Sequence, residues 1–325
     1  MDRRRFVAAL GSALAAPLAR AQVPAAKVYR IGFLGIAFAS GYVREVEWMR
    51  EGLRKLGYIE GRNIVIDFRW ADGDAMRLKQ IAAEFVKSKV DAILTHALPG
   101  AIAAAAVSSA VPIVMADGGD PVEAGLAKSF GRPGRNVTGS FSFIFEEIGK
   151  RLELLKEILP RLRRVGFLSS TADMVIEGKR KALAEAAASM KLEIQEFTVR
   201  DPSELPPAFN NMEKARLESI LINNESLLNS QTSVIAALAA VKRMPSVGYP
   251  SYADAGGLLA YGTNRAALYG RAGYFLDRIF KGENPGDIPF ERASKFDLVV
   301  NGKTAKSIGL SIPPSLLARA DRVIE

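Results

Sequence analysis

The sequence predicts an α/β protein built from two Rossmann-like lobes with parallel sheets. Three observations carry that prediction. Apolar strand-like runs alternate with helical stretches along most of the chain, an order that gives parallel strands covered by helices. A short phrase occurs twice, RIGFLG from Arg30 and RVGFLS from Arg164, and the alternation restarts at the second copy. A length of 325 residues suits two domains, and 49% hydrophobic residues supply a packed core for each.

The chain opens on MDRRRFVAALGSALAAPLARAQ, in which Arg3, Arg4 and Arg5 precede an apolar run closed by Ala19 and Ala21. The run is too short to span a bilayer and has the pattern of a cleaved export signal over residues 1–21, with the mature chain starting at Gln22. The arginines ahead of Phe6 are twin-arginine-like, the mark of a protein exported in its folded state. The expected location is the periplasm.

Four strand-like runs follow: YRIGFLG (29–35), NIVIDFRW (63–70), VDAILTH (90–96) and PIVMAD (112–117), with helical patterns near 45–56, 76–87 and 101–109 between them. Near-continuous apolar runs of this length suit strands buried on both faces. The second series is RVGFLSS (164–170), LEIQEFTV (192–199), ESILIN (218–223) and SVGY (246–249), with helical patterns near 177–190, 203–215 and 230–242. Crossings between lobes are expected near 136–141, near Tyr249, and within 281–292, where KGENPGDIP breaks the last long helix. The first lobe then comprises 22–140 plus 250–283 and the second 141–249 plus 284–325, so that AGGLLAYGTN and the helix after it return to the first lobe.

Composition excludes several functions. The absence of cysteine removes disulfides, thiolate catalysis, thiol metal sites and a lipid anchor on an N-terminal Cys. The net charge of +9 is spread along helices, as in RLELLKEILPRLRR, without aromatic interleaving, which describes a solvated basic surface and no nucleic-acid partner. Gly32 and Gly35 leave a dinucleotide fingerprint incomplete and no GxxxxGK[ST] loop occurs, so no cofactor is expected. His96, the one histidine, has no partners at metal-ligand spacing and is expected as a hydrogen-bonded cleft residue. No nucleophile–base constellation suggests an enzyme.

In open parallel sheets ligands sit outside the carboxyl ends of the strands, which selects the candidate residues. A free amino acid needs hydrogen-bond donors for its carboxylate and a carboxylate for its ammonium. Ser40, Thr95, Thr138, Ser169, Ser170 and Thr171 supply donors, Asp117, Glu225 and Asp254 supply carboxylates, and Asn224 shares the turn with Glu225. Phe38, Tyr42, Phe141, Tyr249 and Tyr252 offer rings for stacking. Asp120 is expected to be structural, because Asp120-Pro121-Val122-Glu123 reads as a helix start.

The segments GYIEGRNIVIDFRWADGD, PIVMADGGDPVEAGL, GRNVTGSF, AGGLLAYG and FDLVVNGKTAKSIGLSIPPSLLARADRVI resemble ABC-transporter substrate-binding proteins, whose known members bind tryptophan- or tyrosine-type amino acids. The resemblance covers nearly all of the mature chain. It implies a type I periplasmic-binding-protein clamshell, a small-molecule solute and an ABC permease as partner in the inner membrane. Monomeric binding is expected. One departure stands at Asn223-Asn224-Glu225-Ser226, where relatives carry an Asp in a Pro-Asp-Pro-like turn; the carboxylate here is one methylene longer. A periplasmic ligand sensor for a membrane signalling partner is the alternative reading.

Overall fold

Residues 27–36, 38–142, 144–171, 173 and 175–325 are described by the structure, a computed structural model. The export signal expected at 1–21 lies outside the described residues.

The first series is β1 (Tyr29–Gly35), α1 (Val43–Lys55), β2 (Ile64–Trp70), α2 (Ala75–Lys87), β3 (Ala92–Thr95), α3 (Leu98–Val107), β4 (Ile113–Met115) and β5 (Val137–Phe141). The second is α4 (Ile144–Ile158), β6 (Arg164–Ser170), α5 (Ile176–Met190), β7 (Glu193–Val199), α6 (Leu205–Lys214), β8 (Ser219–Ile222), α7 (Ser226–Ser230), α8 (Thr232–Val241), β9 (Ser246–Gly248), α9 (Pro250–Asp254) and β10 (Leu259–Thr263). Then come α10 (Arg265–Phe280), β11 (Glu291–Arg292), β12 (Phe296–Asn301), α11 (Gly302–Ser307), α12 (Pro314–Arg319) and β13 (Arg322–Ile324).

The repeated phrase becomes β1 and β6, which hold the same place in two sheets. β1 lies between β2 and β3, and β6 between β7 and β8, all in parallel register. The full orders are β11-β5-β4-β3-β1-β2 and β13-β12-β10-β9-β8-β6-β7. Among the described residues, only the pairing of β10 with β12 is antiparallel. Ile31 and Phe33 of β1, and Val165 and Phe167 of β6, are fully or almost fully buried, as helices on both faces of a parallel sheet require. One apolar cluster gathers Phe33, Met49 and Phe275 on one face of the first sheet, and another gathers Leu34, Phe85 and Ile93 on the other. The second sheet is likewise covered, around Phe167 and Leu152 on one side and Phe209 and Tyr252 on the other.

Two boundaries differ from the sequence expectation. AGGLLAYGTN does not return to the first lobe: Leu259 and Ala260 pair with Val247 and Gly248 of β9, which sets β10 in the second sheet. The buried apolar pair Leu258–Leu259 completes the second core, and the crossing falls at Asn264, whose side chain caps α10 by accepting from Ala267 N–H. Of AGGLLAYGTN and the helix after it, only the helix, α10, goes back to the first lobe. It packs on α1 so closely that a Cβ on Gly52 would lie 2.1 Å from the carbonyl oxygen of Gly270. Residues 284–292, expected in the second lobe, stay with the first. Thr138 donates to the Ile288 carbonyl at 2.8 Å and Glu291 pairs with Ser140, so the third crossing follows Arg292. Strands β12 and β13 lie in the second sheet.

Candidate functional site

A cavity of about 610 Å³ lies between the lobes, at the carboxyl ends of both sheets, within the usual size of small-molecule sites. From the first lobe it is lined by Ile36, Phe38 and Tyr42 after β1, by His96–Leu98 after β3 and by Asp117–Asp120 after β4. The second lobe contributes Phe145 from α4, Asp173, Val175 and Lys179 after β6, and Asn224, Glu225 and Asn229 after β8. Arg265 enters from the first turn of α10, just past the second crossing. The lobes touch where the 3₁₀ turn Ala39–Gly41 meets α7, and Arg44 of α1 reaches Asp254 of α9 at 3.6 Å.

Six of the sequence candidates line this space: Phe38, Tyr42, His96, Asp117, Asn224 and Glu225. Phe38 is 46% exposed, an apolar ring without a core to fill. His96 accepts the Ile36 N–H on Nε2 at 3.0 Å and lies 4.2 Å from the Tyr42 ring. Burial, with Arg265 nearby, lowers its pKa to about 3, so the imidazole is neutral at any physiological pH. Asp117 accepts from the Ser142 hydroxyl at 2.7 Å, and burial pushes its carboxyl above the usual range. Glu225 is 8% exposed and caps α7: its two oxygens accept the N–H groups of Leu227 at 2.9 Å and Leu228 at 2.7 Å. The Ser170 hydroxyl bonds to the same carboxylate, and burial again raises its pKa despite these donors.

The remaining candidates stand elsewhere. Ser40 borders a neighbouring groove. Thr95 is buried under the start of α3, and a Cβ on Gly100 would come within 2.1 Å of its hydroxyl. Thr138 is used by the Ile288 carbonyl, Ser169 by Glu196 and Thr198 of β7, and Tyr249 donates to the Leu228 carbonyl within the second core. Thr171 is exposed beyond the end of β6. Asp254 pairs with Arg44 and Arg322. Asp120 accepts from Val122 and Glu123 N–H as a capping residue does, but the segment it caps is a turn and not the expected helix.

Sequence reasoning missed Phe145, Lys179, Asn229 and Arg265, and gave Asp173, at the carboxyl end of β6, no role. Lys179 is buried and its charge is matched locally, donating to Asp173 at 2.7 Å and to the Asn224 carbonyl at 2.7 Å. Burial lowers its pKa, against the pull of Asp173. Arg265 lies 5.2 Å from the centre of the Tyr42 ring and 3.3 Å from the Glu45 carboxylate. Its position could have been read from Asn264-Arg265 as a capped helix start, had the crossing been placed there. The starts of α3 and α5, at Ala97 and Val175, also border the cavity and carry no side-chain cap.

Among the described residues no group of three or more His, Cys, Asp or Glu is placed to hold a metal ion. The site offers carboxylates from both lobes, two cations, Lys179 and Arg265, and an apolar wall.

Comparison with known proteins agrees with the two-lobe fold. A curated relative, a tyrosine-binding protein of Clostridioides difficile (strain R20291), is 28% identical over 261 residues, which is 80% of this chain and 75% of the relative. The crystal structure of a conserved domain protein from Vibrio cholerae overlays with a TM-score of 0.82 at 26% identity, covering 91% of this chain and all (100%) of that one. An ABC domain from Streptococcus pneumoniae in complex with L-Trp overlays at 0.79, with 24% identity and coverage of 92% and 100%; at that identity the likeness concerns the fold. The family model described as ABC transporter substrate binding protein matches residues 37–324. Members of this family are binding proteins and not enzymes. On a match that spans both lobes, the chain belongs to the ABC transporter substrate-binding proteins.

Proposed function

We propose that this substrate-binding protein captures a free amino acid with an apolar, aromatic-type side chain and delivers it to a permease in the inner membrane. Residues 1–21 direct its export, and it works in the periplasm as a monomer. The observation that carries the reading is the cavity itself. Asp117 on one lobe and Glu225 on the other put carboxylates where a solute's ammonium would leave water, beside the apolar wall of Ile36, Phe38, Tyr42, Leu98 and Phe145. A buried ammonium without a partner would cost several kcal/mol, so carboxylates in a closing cleft favour solutes that bring one. The tyrosine-binding relative is consistent with the same class.

The test is calorimetry of the mature protein against the amino acids, with solution scattering on any that bind. Binding at micromolar affinity or tighter, about −8 kcal/mol or better, with a fall in radius of gyration, is the expected result. Absence of heat across the whole set would refute the amino-acid reading and leave a different small solute.

A further inference from the structure

Buried polar groups in folded proteins are almost always hydrogen-bonded, so each exception asks for an explanation. Among the described residues three side-chain atoms are buried without a partner: Ser140 Oγ, Asn229 Oδ1 and Arg265 Nε. Two of the three belong to residues that line the cavity, and they come from opposite lobes, Arg265 from α10 and Asn229 from α7. One is a donor and the other an acceptor, and they are not bonded to each other.

Arg265 is under-used as a donor. A guanidinium carries five N–H groups and no acceptor; here one bond is made, from Nη2 to the Tyr269 hydroxyl at 3.3 Å. Glu45 stands 3.3 Å from Nε but out of line for a hydrogen bond. The rings of Tyr42 and Tyr269 flank the guanidinium at 5.2 and 5.5 Å, holding its plane without satisfying its edge. Lys179, the other cation on the cavity wall, already has Asp173 and the Asn224 carbonyl. Asn229 is fixed in the complementary sense. Its Nδ2 donates to Asn224 Oδ1 at 3.2 Å, which leaves Oδ1 as the free acceptor.

Building on the reading of the cavity as an amino-acid site, we infer that Arg265 reads a carboxylate of the solute and that Asn229 accepts from its amino group when the lobes are closed. The planar fork of a guanidinium matches a carboxylate in two parallel bonds. Asp117, within electrostatic reach of Arg265, then faces the ammonium beside it. Both polar groups of the amino acid are then read directly, the carboxylate by Arg265 and the amine by Asn229; the decarboxylated amine and the amide are excluded by the donors they would leave buried and unmatched.

The test pairs ligand truncation with mutation. The probes are L-tyrosine and L-tryptophan, their amines tyramine and tryptamine, and 3-(4-hydroxyphenyl)propionate, which keeps the carboxylate and lacks the amine. Calorimetry on the unmodified mature chain should show each amino acid binding at least ~100-fold tighter than its amine, a difference of roughly 2.7 kcal/mol. Arg265→Gln should reduce that ratio to within about threefold by weakening the amino acid alone, and Arg265→Lys should recover part of it. Asn229→Ala should weaken the amino acids by about tenfold and the propionate by less than threefold. Thermal melts accompany each variant, and the comparison on the unmodified protein stands even if one fails to fold. Amines that bind as tightly as the amino acids, or a protein that takes up none of the carboxylate probes, would overturn the inference. Arg265-dependent binding of the propionate at the affinity of tyrosine would uphold the role of Arg265 while refuting the amino-acid reading and the part given to Asn229.

Discussion

Replacing Glu225 by Gln separates two roles that the structure joins in one side chain. As the cap of α7, Glu225 accepts two backbone N–H groups, at 2.9 and 2.7 Å, and the Ser170 hydroxyl. Glutamine offers one oxygen for those two amides and turns an N–H group toward the other. Loss of a helix cap costs about 0.5–2 kcal/mol, and a buried hydrogen bond to a charged group is worth about 1.5–3 kcal/mol. Relief of the charge's own desolvation, the first cause of the raised pKa, offsets part of this. The net expectation is a loss of about 1–2 kcal/mol in stability. If the same carboxylate also faces the solute's ammonium, truncating that pair costs about 2–5 kcal/mol in binding, which is at least ~30-fold at roughly 1.4 kcal/mol per tenfold.

The sign of the pH dependence follows from the same shift. A carboxyl whose folded pKa is raised opposes folding while ionised, and that penalty is relieved as pH falls through the raised value. Binding runs the other way: protonation removes the partner of the ammonium, so affinity should fall on acidification, beginning above 4.5, the ordinary glutamate value. Denaturant unfolding and calorimetry on a bound amino acid, each run from neutral to acid pH, read the two roles separately. Glu225→Asp, which keeps charge and a good cap, should restore most of the stability. A Gln variant that loses stability but binds within threefold of the parent, with the same pH profile, would leave Glu225 a helix cap and refute its contact with the solute.

Two further predictions are independent of the ligand. His96, held neutral with a pKa of about 3, should show one unchanging imidazole signal by nuclear magnetic resonance from pH 8 to about 4, while its unfolded form protonates near 6.5; its contribution to stability should therefore decline as pH drops below 6.5 and continue to about 3. Titration of the native signal between pH 5 and 7 would contradict the burial described. Arg151→Met should cost about 3–5 kcal/mol, because Arg151 and Glu147 are only 3% and 5% exposed and 2.7 Å apart, and the change leaves both the Glu147 charge and the Tyr261 carbonyl without their guanidinium. Adding Glu147→Leu should recover part of that loss in chemical unfolding; a single variant within 1 kcal/mol of the parent, on the about 3–5 kcal/mol scale above, would refute the account.

What the sequence made legible follows from local pattern. β1 and β6 announce themselves because both faces are covered and their central residues, Ile31–Leu34 and Val165–Leu168, are apolar or glycine. The rule that ligands meet the carboxyl ends of strands brought Phe38, Tyr42, His96, Asp117, Asn224 and Glu225 to the cavity wall. It failed at Thr138, which sits near the start of β5 and donates to the Ile288 carbonyl, at Ser169, whose hydroxyl is taken by Glu196, and at Tyr249, which follows β9 and donates to the Leu228 carbonyl. The sheet joined by β10 was not legible, because GLLAYG reads as a strand in either lobe and only its partners, Val247 and Val299, decide. Arg265 was hidden by that same error: with the crossing placed at Tyr249, it opens a helix wholly inside the first lobe instead of one that begins at a crossing.

The chain passes between its lobes three times, after β5, after β10 and after β11. Two bodies joined by one strap can swing, twist and slide; three short straps side by side leave a single bending motion about the line they share. Opening of the cleft is then a rotation with one angle as its coordinate, and a pair of dyes on α2 and α6 should follow it as one distance. Severing any one strap leaves two in place, so a nicked chain would keep its halves together and lose stiffness before it lost shape.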